Sequence, residues 1–118
     1  MIQIPENPTL KDLQYHIKTI GEERGWDKNN YLEIFLLLSE EFGELAKAIR
    51  NYAGLFTEKE KSNSSVELEE EFADVLNYIF DLANCFNINL EEAFRKKDEK
   101  NKNRNWIQHS KTSNKTIK

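Results

Sequence analysis

The sequence has 118 residues, 38% hydrophobic and 32% charged, with a formal net charge of −4, a size and balance that fit one small globular domain and exclude collagen-like or low-complexity chains. Its longest uninterrupted apolar run, Ile34-Phe35-Leu36-Leu37-Leu38, is far short of the ~20 residues a membrane helix needs, and Met1 to Glu6 show no basic segment followed by an apolar one, so a cytoplasmic protein with no membrane partner is expected. Cys85 is the sole cysteine, which excludes an intrachain disulfide and a cysteine-based zinc site within one chain.

The charge is unevenly spread. Residues 1–94 hold 8 Lys/Arg against 19 Asp/Glu, net −11, whereas residues 95–118 hold 9 against 2, net +7. The basic tail that begins at Arg95-Lys96-Lys97 can touch phosphate, but the acidic body repels a nucleic-acid backbone, which argues against such a partner.

Along the chain, Thr9 followed three residues later by Asp12 marks a helix start, and Leu10, Leu13, Ile17 and Ile20 recur at helical spacing, predicting a first helix over Leu10–Arg24. Gly25 can end it in a left-handed turn, with Asp27 or Asn29 capping a second helix over Asn30–Ala53. That helix carries Leu32, Phe35, Leu38, Phe42, Leu45 and Ile49 as its apolar positions before Gly54. The polar stretch Thr57–Ser65 reads as a loop, and Ser64 with Glu67 has capping-box spacing for a third helix whose apolar face is Phe72, Val75, Leu76, Ile79, Leu82 and Ala83. Cys85 is expected as a small core residue on that helix. Asn89 with Glu92 opens a fourth helix through about Asn105, and Gln108–Lys118 is polar and expected to fray. No period-two alternation or internal repeat is found, so the fold class is all-α, a four-helix bundle-like domain over residues 1–107 with a basic polar tail over 108–118. A chain this short has a small core, and pairing of its long helices with further copies, as a homodimer or homotetramer, would enlarge it.

Two carboxylate pairs stand out. On helices, residues three apart share a face, so Glu41 with Glu44, and Glu71 with Asp74, each place two acids side by side. Phe42, Leu45 and Ile49 on one helix and Phe72, Val75 and Ile79 on the other put these acids at the border of the packed region. Carboxylates partly removed from water need a compensating cation, and hard oxygen ligands select Mg²⁺, Mn²⁺ or Ca²⁺. Most helix-surface glutamates merely hydrate, and Glu69 and Glu70 are read that way. Gly43 inside a helix costs ~1 kcal/mol relative to Ala and hints at close approach of another chain or ligand. A di-iron bundle needs Glu-x-x-His on two helices; Leu13 and Trp106 stand three residues before His16 and His109, which argues against that chemistry.

Glu40-Glu41-Phe42-Gly43-Glu44 followed by Glu71-Phe72-Ala73-Asp74 resembles the EExxE…ExxD signature of the MazG-like all-α nucleotide pyrophosphohydrolases, a superfamily that includes all-α dUTPases, dCTP pyrophosphatases and phosphoribosyl-ATP pyrophosphohydrolase. The similarity extends through Glu41–Ile49 and Asp74–Ile79 and covers about Leu10 to Trp106. It implies that Glu41, Glu44, Glu71 and Asp74 hold Mg²⁺, with Mn²⁺ as a substitute, and that the reaction is hydrolysis of a nucleoside triphosphate to monophosphate and pyrophosphate. Such an activity would remove noncanonical nucleotides or control nucleotide pools. Metal ions neutralise the triphosphate and polarise the phosphorus under attack, while one carboxylate, Glu40 or Glu44, takes the proton of the attacking water. The resemblance also implies phosphate and nucleotide contacts from Lys97, Asn101 and Arg104, at i, i+4 and i+7 on the fourth helix. Tyr78 becomes a substrate contact, Trp26 a stacking platform for the base and His16 a second base contact. Sites in this family usually form between subunits. Two alternatives stay open: an enzyme acting on phosphoribosyl-ATP, and a non-catalytic helical module that binds a nucleotide or partner without turnover.

Overall fold

A computed structural model describes residues 2–55 and 65–104. They form α1 (Leu10–Glu23), a short 3-10 turn (Trp26–Lys28), α2 (Tyr31–Tyr52), α3 (Ser65–Cys85) and α4 (Leu90–Lys102), with no strand among the described residues. The all-α expectation holds.

The caps explain the boundaries. The Thr9 hydroxyl accepts from the Asp12 backbone N–H at 3.0 Å and the Asp12 carboxylate accepts from the Thr9 N–H at 3.0 Å, a reciprocal capping box that fixes the start of α1. Gly25 takes φ +77° immediately after the α1 cap, a left-handed conformation that turns the chain out of the helix. The next cap differs from the expected Asp27 or Asn29. A 3-10 turn occupies Trp26–Lys28, and Asn30, in a second capping box with Glu33, starts α2. Gly54, at φ +75°, ends α2 while the Leu55 N–H reaches back to the Arg50 carbonyl. The Asn89 side chain caps α4 through the Glu92 N–H. That helix stops at Lys102 rather than Asn105, because the Asn103 and Arg104 N–H groups close the last turn onto Glu99, Lys100 and Asn101 carbonyls. Ser64, Trp106 and the 108–118 tail lie outside the described residues.

Helix α3 is the central element, antiparallel to both α1 and α2. Tyr31, at the start of α2, meets Phe86, just past the end of α3, with ring centroids 5.2 Å apart. Gln14, near the start of α1, bonds Asn84 near the end of α3. The core between α2 and α3 consists of Ile34, Leu38 and Ala48 against Val75, Phe80 and Ala83, with Phe80 and Ile34 fully enclosed.

This packing corrects the expected faces. Leu32, Phe35, Phe42 and Ile49 on α2 are 61, 52, 50 and 46% exposed, and Phe72 and Leu76 on α3 are exposed as well. The apolar residues of α2 form two stripes. One, through Ile34, Leu38 and Ala48, meets α3, and the second has no layer among the described residues to cover it. Cys85 is exposed as well, because it is the last residue of α3.

A polar clasp fixes α1. The buried Gln14 side chain donates to Asn84 Oδ1 at 2.9 Å and to the Ile88 carbonyl at 2.7 Å, and its Oε1 accepts from the Leu90 N–H at 3.0 Å. Gln14 therefore ties α1 to the α3–α4 connection, where Asn87 takes φ +55°. Gln14→Ala strands three partners at once. We expect a loss of about 2–4 kcal/mol, read as a lower urea midpoint at unchanged slope; an unaltered midpoint would refute the clasp's role.

Candidate active site

On the buried stripe of α2, Glu41 falls between Leu38 and Ala48, where the helical period calls for an apolar side chain. Opposite it, Glu71 and Asp74 precede Val75 on α3. Because the two helices are antiparallel and tightly packed, these three acids converge: carboxylate oxygens of Glu41, Glu71 and Asp74 all lie within 4.8 Å of one another, and all three residues are half-buried. Burial pushes the Glu41 carboxyl above its usual range, helped by a hydrogen bond with Glu71 and by the charges of Asp74, Glu71 and Glu44. Glu71 Oε1 is buried and finds no hydrogen-bond partner. Three crowded carboxylates with an orphaned oxygen are what a hard cation would relieve.

Beside the cluster opens a cleft of about 390 Å³ between α1, the 3-10 turn, α2 and α3. Ile17 and Ile20 form its apolar wall, and Trp26, Asp74, Tyr78 and Asp81 line it. Trp26 is half exposed and carries the Arg24 guanidinium 5.0 Å from its ring centroid, a cation–π contact that restrains the indole. The Tyr78 hydroxyl is pushed up by burial and then by the charges of Glu41, Asp74, Asp81 and Glu40.

Comparison with known proteins gives the chain a family. The model of the MazG nucleotide pyrophosphohydrolase domain matches residues 29–107. The chain belongs to the MazG nucleotide pyrophosphohydrolase family. As a MazG chain it is similar to the uncharacterized protein YvdC of Bacillus subtilis (strain 168), 35% identical over 96 residues, covering 77% of this chain and 91% of YvdC. Among solved structures it is similar to the Bacillus-conserved MazG protein, a nucleotide pyrophosphohydrolase, with 28% identity and a TM-score of 0.67, covering 92% of this chain and 99% of that one. It is also similar to the putative pyrophosphatase YpjD from Bacillus subtilis, with 34% identity and a TM-score of 0.66, covering 86% and 100%. The enzyme class is therefore a hydrolase of the nucleotide pyrophosphohydrolase type.

The other residues singled out from the MazG signature fall into three groups. Glu40 and Glu44 are exposed on α2, outside the triad, with the Glu44 charge felt at Glu41. His16 lies on α1 beside the cleft wall but does not line it, and its Nδ1 is buried without a partner. Lys97, Asn101 and Arg104 are exposed on or just past α4, which packs against α1, and none of them lines the cleft. Beyond its own helix turn, no described residue comes within 4 Å of where a Cβ on Gly43 would stand. Three polar cleft residues were not singled out as site residues in the sequence, Asn29, Asn77 and Asp81. Helical spacing ties Asp81 to the face of Asp74: Asp74, Tyr78 and Asp81 recur at i, i+4 and i+7 on α3.

No described helix is long and apolar enough to cross a membrane.

Proposed function

We propose that this protein hydrolyses a nucleoside triphosphate to the monophosphate and pyrophosphate with Mg²⁺, Mn²⁺ serving in its place. The observation that carries this reading is the convergence of Glu41, Glu71 and Asp74 at the mouth of a cleft walled by Trp26. The residues fit the ion: all donors are carboxylate oxygens, and an octahedral Mg²⁺ takes only a few of these and keeps water in its remaining positions. Glu44 completes the set from the same helix. Bound there, the ion would neutralise the triphosphate and polarise the phosphorus under attack.

The chain's own groups supply the rest. Glu40 or Glu44, solvent-facing beside the triad, takes the proton from the attacking water as the α–β anhydride bond breaks. Trp26 stacks on the base, and Tyr78 lines the path from the phosphates to it. Lys97, Asn101 and Arg104 serve phosphates across a subunit boundary. A homodimer or homotetramer is supported by the uncovered stripe of Leu32, Phe35, Phe42 and Ile49, a patch of the kind that marks association. The open space beside Gly43 lets a second helix approach the same side of α2.

Pyrophosphate release from a panel of ordinary and modified ribo- and deoxyribonucleoside triphosphates tests the reading, with wild type and Asp74→Asn compared in Mg²⁺. Release by wild type and a drop of roughly 100-fold or more in Asp74→Asn are expected. Silence from folded wild type across the panel would overturn it and turn attention to phosphoribosyl-ATP.

A further inference from the structure

We propose that Asp81 is a specificity-determining residue of the cleft, accepting a hydrogen bond from the exocyclic amino group of the substrate's base and so selecting amino-bearing bases over their oxo counterparts. This deepens, and rests on, the pyrophosphohydrolase reading.

The placement comes from the register of α3. Asp74 belongs to the triad, Tyr78 follows one turn later, and Asp81 lies seven residues on, about 10 Å along the helix axis. All three line one cleft with Trp26. That separation is the reach of a nucleoside from its α-phosphate to the far edge of its base. With the phosphates at Asp74, a base against Trp26 therefore presents its edge to Asp81. Asn77 and Asn29 line the same cleft and offer carboxamides that can pair with the neighbouring ring nitrogen or carbonyl.

The chemistry of Asp81 fits an acceptor waiting for a donor. Burial pushes its carboxyl above the usual range, and no hydrogen bond or ion pair to it is found among the described residues. Lys18 shares with it an adjoining hollow of about 200 Å³ but pairs with Glu22 at 3.9 Å. An ionised carboxylate only accepts. The N4 amino group of cytosine or the N6 amino group of adenine supplies the donor, whereas the O4 oxygen of uracil or thymine and the O6 oxygen of hypoxanthine would oppose lone pair to lone pair. Placed at the end away from the triad, the negative charge of Asp81 also disfavours binding in the reverse direction, phosphates first.

The test compares matched pairs that differ in one amino-for-oxo exchange, CTP with UTP and ATP with ITP, in wild type and Asp81→Asn. In wild type, kcat/KM is expected to favour the amino member by at least about tenfold. Asp81→Asn, which is isosteric and can donate as well as accept, is expected to bring each ratio to within about threefold of unity with no fall in Tm. Binding of CMP and UMP by calorimetry gives the same comparison without turnover. Turnover of triphosphates with no amino preference, or with ratios unmoved by Asp81→Asn, overturns this inference and leaves the hydrolase reading standing. Amino-selective binding without turnover of any triphosphate, abolished by Asp81→Asn, upholds it and overturns the hydrolase reading. Absence of both turnover and binding overturns both.

Discussion

Replacing Glu41 with Gln is expected to leave the metal-free protein at least as stable as wild type while abolishing its response to Mg²⁺ and cutting pyrophosphate release by roughly 100-fold or more. The sign follows from the direction of the Glu41 shift. Burial and three neighbouring acids raise its carboxyl in the folded state, so the fold holds that proton to higher pH than the unfolded chain does. As pH rises from the unfolded carboxylate value through the raised folded one, stability declines. A glutamine cannot ionise, and the decline disappears with it. In wild type a divalent cation is expected to reverse the decline, by binding the ionised triad and not the unfolded chain. At a hundredfold excess over its Kd such an ion adds about 2.7 kcal/mol, a rise in Tm of about 10 °C or more for a domain near this size. The rise should grow from acid to neutral pH, since protons and metal compete for the same oxygens. Thermal melts of both proteins across pH, with and without Mg²⁺, check it. An equal metal response in Glu41→Gln would remove the triad from consideration.

Phe35→Asp combined with Phe42→Asp is expected to convert the assembly to monomers with helices intact, and to remove most of the activity. Phe35, Phe42 and Ile49 are seven residues apart, with Leu32, Ser39 and Ala46 filling the intervening a/d-type positions. A helix bearing that pattern on an exposed side packs against a second helix in the manner of a coiled coil. Two unpaired carboxylates buried there cost several kcal/mol each. The monomer retains Ile34, Leu38 and Ala48 against α3, so far-UV circular dichroism should change little. Light scattering coupled to gel filtration reads the mass, and pyrophosphate release reads the activity. An oligomer of unchanged mass would show that the stripe serves another purpose.

The helices were legible because their signals are local. Thr9 with Asp12 and Asn89 with Glu92 announce two starts by spacing alone, and both caps form. What sequence could not supply were facts of tertiary packing. Both stripes of α2 look equally apolar, and only the position of α3 decides that Ile34 is buried while Phe35, its neighbour, is not. The pairing of Glu71 with Asp74 follows from helical geometry, but the approach of Glu41 depends on the register between two antiparallel helices. The turn at Trp26–Lys28 escaped notice because a three-residue 3-10 segment has no periodicity to detect. Asp81 escaped because an acid on a helix that already carries Glu67, Glu69, Glu70, Glu71 and Asp74 ordinarily faces solvent, and its cleft exists only once α1 and the turn are in place.

The acids and the aromatic wall of the cleft belong to different parts of the chain. Glu41, Glu71 and Asp74 are set by the contact of two long helices, whereas Trp26 sits in a three-residue turn between a left-handed glycine and a separately capped helix. Mutations or short insertions in that turn can re-aim the indole without altering the seam between α2 and α3. Descendants of such a chain can therefore change the shape of the cleft wall while inheriting the acidic seam unchanged, which makes this turn the segment in which divergence among paralogues should concentrate.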